Sequence, residues 1–148
     1  MVTIGVGYYW QHKPDVVPKI EAPVLVAAPK AMKKIALSQE QLFGIDSFVL
    51  KQPTILQPII TILKEQPKSN AKIIGYTDNT GRAAYNLMLS QRRAQAVANY
   101  IESQGIMAQR LIIKGEGEIS PIAMNNTVLG RAKNRRVEIT LLNVEDDK

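Results

Sequence analysis

Beyond residue 34, apolar residues follow two different periods, which together predict a domain of alternating strands and helices. Segments whose apolar positions repeat every two residues, or form short runs, are expected to be strands: Ile35–Phe43, Lys72–Tyr76, Arg110–Lys114 and Arg136–Leu142. Segments with helical spacing are expected to be helices: Pro53 to Pro67, about Ala84 to Ser103, and a short helix after Thr127. The order β-α-β-α-β-(α)-β predicts an α+β fold, a two-layer sandwich with the helices on one face of a mixed sheet.

The first 34 residues show a different pattern. Residues 2–10 alternate apolar with small or polar side chains and end in Tyr8-Tyr9-Trp10. This pattern is typical of one strand of a membrane β-barrel, although an ordinary half-buried strand alternates in the same way. Residues 1–12 are therefore expected to be a strand without its partners. Residues 13–34 hold four of the eight prolines and are expected to be an extended linker. The domain is expected over 35–143, with an acidic tail at 144–148.

Composition narrows the chemistry that the chain can perform. There is no cysteine and one histidine, His12, so disulfides, thiolate nucleophiles and paired-histidine metal sites are excluded. No sequence motif of a phosphate-binding loop, a serine hydrolase or a zinc protease occurs. Glu116 and Glu118 lie in one loop and cannot flank a glycosidic bond from facing elements. We therefore expect a protein that is not an enzyme and that has no cofactor and no metal.

Positive charge is concentrated in one part of the chain. The net charge is +6, and the window from Arg82 to Arg136 holds nine basic and three acidic residues, including every arginine. Arginine recognises carboxylates and phosphates with a planar fork of donors, so this asymmetry points to an anionic ligand. On charge alone, however, a solvated basic face is the favoured interpretation. Nucleic acid is one candidate for an anionic ligand. Only Tyr85 and Tyr100 are aromatic in this window, however, so no stacking platform stands out.

Two charged residues are exceptions to the hydrophobic pattern. Arg93 occupies the apolar seam of the long helix between Leu89 and Val97, so it must reach solvent, form an ion pair or bind an anion. Asp78 follows the second strand in a turn, residues 77–81, which its carboxylate can close by itself. Because the long helix begins shortly afterwards, the two charges are expected to lie close together. They then either pair or hold a dipolar amino acid between them.

Four blocks of the sequence together resemble the OmpA C-terminal-like domain. They are Gly75–Gly81, Asn86–Val97, Gly115–Glu118 with Pro121–Ala123, and Gly130–Ile139. The resemblance covers about residues 35–143, with the blocks in the order and at the spacing of that family. The strand and proline-rich segment that precede the domain are similar to the last barrel strand and hinge of OmpA-type outer-membrane porins. The resemblance therefore implies a periplasmic domain of an outer-membrane protein, attached through an upstream barrel.

The resemblance also implies non-covalent binding of peptidoglycan. In the family, an aspartate after the second strand and an arginine on the long helix hold the diaminopimelate of the stem peptide, and these positions match Asp78 and Arg93. Other family positions at the site are matched by Thr80, Gly81, Arg135 and, as a secondary contact, Asp46. Tyr76 and Gly44 depart from the family, which frequently has histidine and a polar residue there.

The expected partners follow from the same resemblance. Peptidoglycan is the expected ligand, and binding it would tether the outer membrane to the cell wall. A weak homodimer is compatible with this interpretation, and nucleic acid is not an expected partner. The alternative is a basic module that binds another anionic polymer, such as nucleic acid.

Overall fold

The structure is a computed structural model and describes residues 32–44 and 47–145. The described part contains four strands, which are β1 (Lys33–Ser38), β2 (Asn70–Tyr76), β3 (Leu111–Gly117) and β4 (Arg136–Leu142). It also contains four α-helices, which are α1 (Gln39–Leu42), α2 (Gln57–Glu65), α3 (Ala83–Ser103) and α4 (Val128–Asn134). Short 3₁₀ turns, Pro53–Leu56 and Ala108–Arg110, precede α2 and β3. None of the helices in these ranges is long and apolar enough to cross a bilayer.

The strands form one mixed sheet in the order β1-β4-β2-β3. Both β1 and β2 pair with β4 in antiparallel orientation, whereas β2 and β3 are parallel. One face of the sheet packs against α2 and α3 to form the core, whose largest buried members include Ile73, Ile139, Leu141, Leu63, Val97 and Ile101. The predicted α+β two-layer sandwich, with helices on one face of a mixed sheet, is thus confirmed.

The first strand ends at Ser38, earlier than the sequence pattern predicts. Instead of continuing to Phe43, the chain forms α1 directly after Ser38. The Ser38 hydroxyl accepts a hydrogen bond from the Gln41 N–H, and the Gln41 side chain accepts one from the Ser38 N–H, both at 3.2 Å. This reciprocal arrangement begins a helix because it satisfies N–H groups that have no partner in the first turn. Leu42 and Phe43 are nevertheless buried, so the apolar residues face the core without being in a strand.

The helix α3 packs unusually close to β2 and β3. A Cβ added at Gly75 would overlap the carbonyl oxygen of Ser90, and one added at Gly115 would overlap the backbone nitrogen of Gln91. The Ser90 hydroxyl also accepts a hydrogen bond from the Gly117 N–H at 2.9 Å. The first half of α3 is therefore fixed against the ends of the two parallel strands.

The two ends of the sheet have different roles. At one end Lys33 pairs with Leu141, so the chain enters β1 beside the point where it leaves β4. At the other end Ser38 and Tyr76 both pair with Arg136, so the segment after β1, the turn after β2 and the end of α4 come together there.

Several predictions concern residues that the structure does not describe. They are the strand at residues 1–12, the linker up to residue 31, Asp46, and the last three residues of the acidic tail. Lys33 and Lys34, which the sequence pattern assigns to the linker, form the start of β1. Val144, assigned to the tail, is buried in the core.

Candidate functional site

A cavity of about 580 Å³ opens at the end of the sheet where β2 ends. Its wall is built from α1, the turn after β2, the first part of α3, and α4. The charged side chains that line it, among the described residues, are four cations and two carboxylates: Lys51, Arg93, Arg131, Arg135, Glu40 and Asp78. The cavity therefore presents both signs of charge to anything that enters it.

The turn after β2 is held in place by local hydrogen bonds. One carboxylate oxygen of Asp78, Oδ1, accepts the Thr80 N–H at 2.8 Å. Gly81 follows with a φ of 87°, a backbone conformation that favours glycine. The Asn86 side chain donates to the Thr80 carbonyl oxygen at 3.0 Å and to Glu118 Oε2 at 3.2 Å, which pins the turn to α3 and to the loop after β3.

The other oxygen of Asp78 takes part in a row of alternating charges. Asp78 Oδ2 lies 2.8 Å from Arg135 Nη1, and Arg135 Nη2 lies 2.9 Å from Glu40 Oε1. Burial alone would raise the pKa of Asp78, but the hydrogen bonds from Arg135 and Thr80 outweigh burial and hold this pKa below its usual value. Asp78 is therefore a carboxylate at neutral pH, with only 8% of its surface exposed.

Arg93 is buried in the seam of α3, with 3% of its surface exposed. Its Nε–H donates to the carbonyl oxygen of Ser47 at 3.1 Å, and its Nη1 donates to Gln39 Oε1 at 3.0 Å. The guanidinium carbon also lies 5.8 Å from the centre of the Phe43 ring. These contacts hold the guanidinium at the wall of the cavity rather than letting it extend into solvent.

The structure brings most of the residues singled out in the sequence to one place. Asp78, Thr80, Arg93 and Arg135 all line the cavity. Gly81 shapes the same turn but is not among the residues that line the cavity. Asp46 lies outside the described residues.

Sequence reasoning missed other charged residues of the wall. Glu40 was not predicted as a site residue because its segment has the apolar pattern of a strand. Ser38 followed by Gln41 is a helix-start signal, and this signal would have placed Glu40 in the first turn of α1. No local sequence pattern indicates that Lys51 belongs to the cavity wall. Its position depends on a contact that only the folded chain creates, because its N–H donates to the Leu42 carbonyl oxygen at 2.9 Å. Arg131 lies on α4, one turn before Arg135, which follows the last residue of that helix.

Arginine side chains in the basic window are used mainly inside the domain. Those that donate hydrogen bonds to other described residues are Arg93, Arg110, Arg131, Arg135 and Arg136. Arg110, for example, donates to the Leu63 and Gln66 carbonyl oxygens at 2.6 and 3.0 Å and so caps α2. Arg92, in contrast, is exposed. The basic window is therefore not simply a solvated face.

Tyr76 belongs to a buried cluster that is separate from the cavity wall. The Arg136 guanidinium lies 3.8 Å from the centre of the Tyr76 ring, and Glu138 forms an ion pair with Lys34 at 3.0 Å. Burial, and then the negative charge of Glu138, raise the pKa of Tyr76 to about 12. The position at which the family frequently has histidine is thus occupied here by a neutral phenol.

The fold and the cavity together define a class of protein: an α+β binding domain whose pocket offers an acid and several guanidinium groups to a charged ligand. Residues 42–135 match the OmpA family. The chain belongs to this family, as the sequence blocks predict.

Proteins with curated names are similar in sequence to this chain over most of its length. Outer membrane protein A of Bordetella avium is 38% identical over 86% of this chain and 66% of its own length. The peptidoglycan-binding protein ArfA of Mycobacterium bovis is 43% identical over 67% of this chain and 31% of its own length. The chain thus spans between about a third and two thirds of the length of the curated relatives it matches.

Solved structures share the fold. The cell wall anchor of the T6SS from Pseudomonas aeruginosa superposes with a TM-score of 0.68 at 32% identity, covering 75% of this chain and 81% of that one. The peptidoglycan-associated lipoprotein from Burkholderia pseudomallei gives a TM-score of 0.64 at 28% identity, covering 72% of this chain and 88% of that one. The names of these relatives describe binding and anchoring, which confirms the expectation that the chain is not an enzyme.

Proposed function

We propose that this domain binds peptidoglycan without forming a covalent bond, by holding the dipolar end of diaminopimelate in the stem peptide. The observation that carries the proposal is that Asp78 and Arg93, from different elements, line one cavity with opposite charges. The relative named a peptidoglycan-binding protein, and the similar structure named a peptidoglycan-associated lipoprotein, support the same ligand.

In this proposal each end of the dipole has its own partner. Asp78 Oδ2 receives the ammonium group, while Oδ1 keeps the turn closed through the Thr80 N–H. The Arg93 guanidinium receives the carboxylate, since its planar donors fit two carboxylate oxygens. Arg135 retains Glu40 as a partner when the ammonium shares Asp78, so the exchange leaves no buried charge without a counter-charge. Thr80, Gly81 and Asp46 serve as further contacts or as supports of the turn.

The wider role that we propose is a tether. The domain would lie in the periplasm as part of an outer-membrane protein and would connect that membrane to the wall. Each contact is weak and screened by salt, but a polymeric wall offers many identical ligands, so attachment arises from multivalency. A net charge of +6 steers the domain towards an anionic polymer, and a weak homodimer would add a second contact.

Sedimentation with purified peptidoglycan tests the proposed site. Asp78→Asn removes the charge while keeping an oxygen that can accept the Thr80 N–H, and Arg93→Gln removes the guanidinium. Each variant is expected to raise the apparent dissociation constant by about tenfold or more, and so to lower the bound fraction, because each removes one charge-assisted contact of about 1.5–3 kcal/mol.

Arg92→Gln is the matched control, because Arg92 is adjacent in sequence but exposed on another face of α3. It should sediment like the parent. Unchanged sedimentation of both Asp78→Asn and Arg93→Gln would remove the proposed site. Loss of sedimentation by all three variants would indicate a general charge effect instead.

A further inference from the structure

The dipolar end of diaminopimelate does not account for all of the charge in the cavity. Among the described residues of the wall there are four cations and two carboxylates. A bound amino-acid end is neutral overall, so it offers no spare counter-charge to a cation of the wall that lacks a carboxylate partner. Charge complementarity with such cations favours further negative groups on the ligand.

Two of the cations are not committed to a carboxylate. Lys51 and Arg131 form no ion pair with any acidic residue in the ranges 32–44 and 47–145. Lys51 is exposed at the cavity wall, and its backbone is fixed by a hydrogen bond from its N–H to the Leu42 carbonyl oxygen. Arg131 donates through Nη1 to the Asn125 carbonyl oxygen at 3.0 Å, which orients the guanidinium without neutralising it.

The two cations come from different segments of the cavity wall. Lys51 is joined through Leu42 to the segment with Phe43, whose ring lies beside Arg93. Arg131 lies one helical turn before Arg135, the partner of Asp78. A ligand held by Asp78 and Arg93 would thus meet two uncommitted cations of the same cavity, one from each segment.

We infer that Lys51 and Arg131 form a second recognition element, which selects stem peptides whose two carboxyl groups flanking the diaminopimelate are free. This inference rests on the proposed function. The flanking groups are the α-carboxylate of the D-glutamate residue on one side and the terminal carboxylate of D-alanine on the other. Stems in which these groups are amidated, or consumed by a cross-link, lose the complementary charge and bind less tightly.

Two ligands of equal size isolate this effect. One is the N-acetylated tetrapeptide L-Ala-γ-D-Glu-meso-diaminopimelate-D-Ala with both flanking carboxylates free. The other is the same peptide with both flanking groups amidated and the dipolar end intact. Calorimetric titration of the 148-residue chain is expected to show about three- to tenfold tighter binding of the acid form, since each partly exposed ion pair contributes modestly.

Matched variants assign the preference to these side chains. The double variant Lys51→Gln/Arg131→Gln should bind the two peptides within about twofold of each other, because it loses affinity mainly for the acid form. Lys64→Gln/Lys133→Gln removes the same charge from exposed positions outside the cavity wall and should keep the preference. If the double variant no longer binds the amidated peptide either, the single variant Lys51→Gln is the test. It should show a smaller preference for the acid peptide over the amidated peptide than the parent does.

The outcomes separate this inference from the proposed function. Equal binding of the two peptides by the parent, or a preference that survives in Lys51→Gln and in the double variant, overturns the role of Lys51 and Arg131. If the parent binds neither peptide, or if Asp78→Asn binds the amidated peptide as the parent does, the proposed function itself fails.

Discussion

At the scale of single residues, Asp78 combines two roles that the sequence presents as alternatives. Its Oδ1 closes the turn through the Thr80 N–H, and its Oδ2 faces Arg135 in the cavity wall. A carboxylate has enough acceptor positions for both, so a structural role does not exclude a binding role. For the same reason, Asp78→Asn removes the negative charge but keeps an oxygen that can close the turn, so it tests the two roles separately.

Acid should destabilise the domain through Asp78 and Glu138. Burial opposes ionisation in both, but hydrogen bonds from Arg135 to Asp78 and from Lys34 to Glu138 hold each pKa below its usual value. The unfolded chain then binds more protons than the folded one, so the free energy of unfolding falls as the pH drops below about 4. Urea unfolding at a series of pH values measures this dependence.

The double variant Asp78→Asn/Glu138→Gln should show a shallower loss of stability in this acidic range than the parent does. Glu102→Gln, at an exposed position of α3, should leave the pH dependence as it is. An acid transition with the same slope in the parent and in the double variant would contradict this account.

Among the asparagines that the structure describes, Asn134 is expected to be the one whose replacement lowers the free energy of unfolding most. It is fully buried, its Oδ1 accepts the Ile122 and Ala123 N–H groups at 2.8 and 3.0 Å, and its Nδ2 donates to the Ala123 carbonyl oxygen at 2.9 Å. Asn134→Ala leaves these backbone groups without partners and should lower the free energy of unfolding by about 2–4 kcal/mol. Chemical denaturation measures the change, and a loss no larger than that of the exposed Asn99→Ala would be inconsistent with it.

The sequence identifies those site residues that interrupt a regular pattern. Arg93 breaks an apolar seam and Asp78 ends a strand, so both are visible without a structure. Glu40 and Lys51 sit in segments whose local pattern is ordinary. Their place in the cavity depends on contacts between α1 and the residues around Leu50, which local spacing cannot encode.

At the scale of secondary-structure elements, the contact between α3 and the parallel strands controls the geometry of the site. Gly75→Ala introduces a methyl group where the Ser90 carbonyl oxygen already lies, so α3 must shift. We expect a loss of about 1–3 kcal/mol in the free energy of unfolding, as for other overpacked interiors, measured by chemical denaturation.

Gly44→Ala provides the comparison for stability, since the nearest atom to its added methyl would be Ser47 Cβ at 3.8 Å, an ordinary contact. Its free energy of unfolding should stay within about 0.5 kcal/mol of the parent. If Gly75→Ala proves equally tolerated, the close approach of α3 does not determine how the helix is positioned.

The elements themselves were largely predictable. The strand at Arg136–Leu142 and the helix closed by Gly105 have clear periodicity and a clear end signal, and both are confirmed. The strand predicted to run to Phe43 is wrong beyond Ser38, because the capping interaction of Ser38 and Gln41 outweighs the apolar character of the segment. Local hydrogen bonding, rather than hydrophobicity, determines where this strand ends.

At the scale of the whole molecule, the strand order could not be read from the sequence. The last strand lies in the interior of the sheet between β1 and β2, and these pairings join residues far apart in the chain. Periodicity reports which residues face the core but not which strands become neighbours.

The net charge of the molecule predicts a salt-dependent attachment. Because the chain carries +6 and the proposed contacts are ionic, the apparent dissociation constant for peptidoglycan should rise several-fold between about 50 and 500 mM NaCl. Sedimentation over a salt series measures this. Binding that stays constant across the series would mean that apolar contacts, rather than charge, hold the wall.

The sheet also determines how the domain would carry a mechanical load. The chain enters β1 at Lys33, whereas the cavity lies at the opposite end, beyond Ser38 and Tyr76. Tension between a captured wall strand and the upstream polypeptide would therefore run along β1. Its hydrogen bonds to β4 lie across that direction, so they would be stressed in shear and resist together rather than opening one by one. If the domain acts as the proposed tether, this orientation would help it to stay folded under such a load.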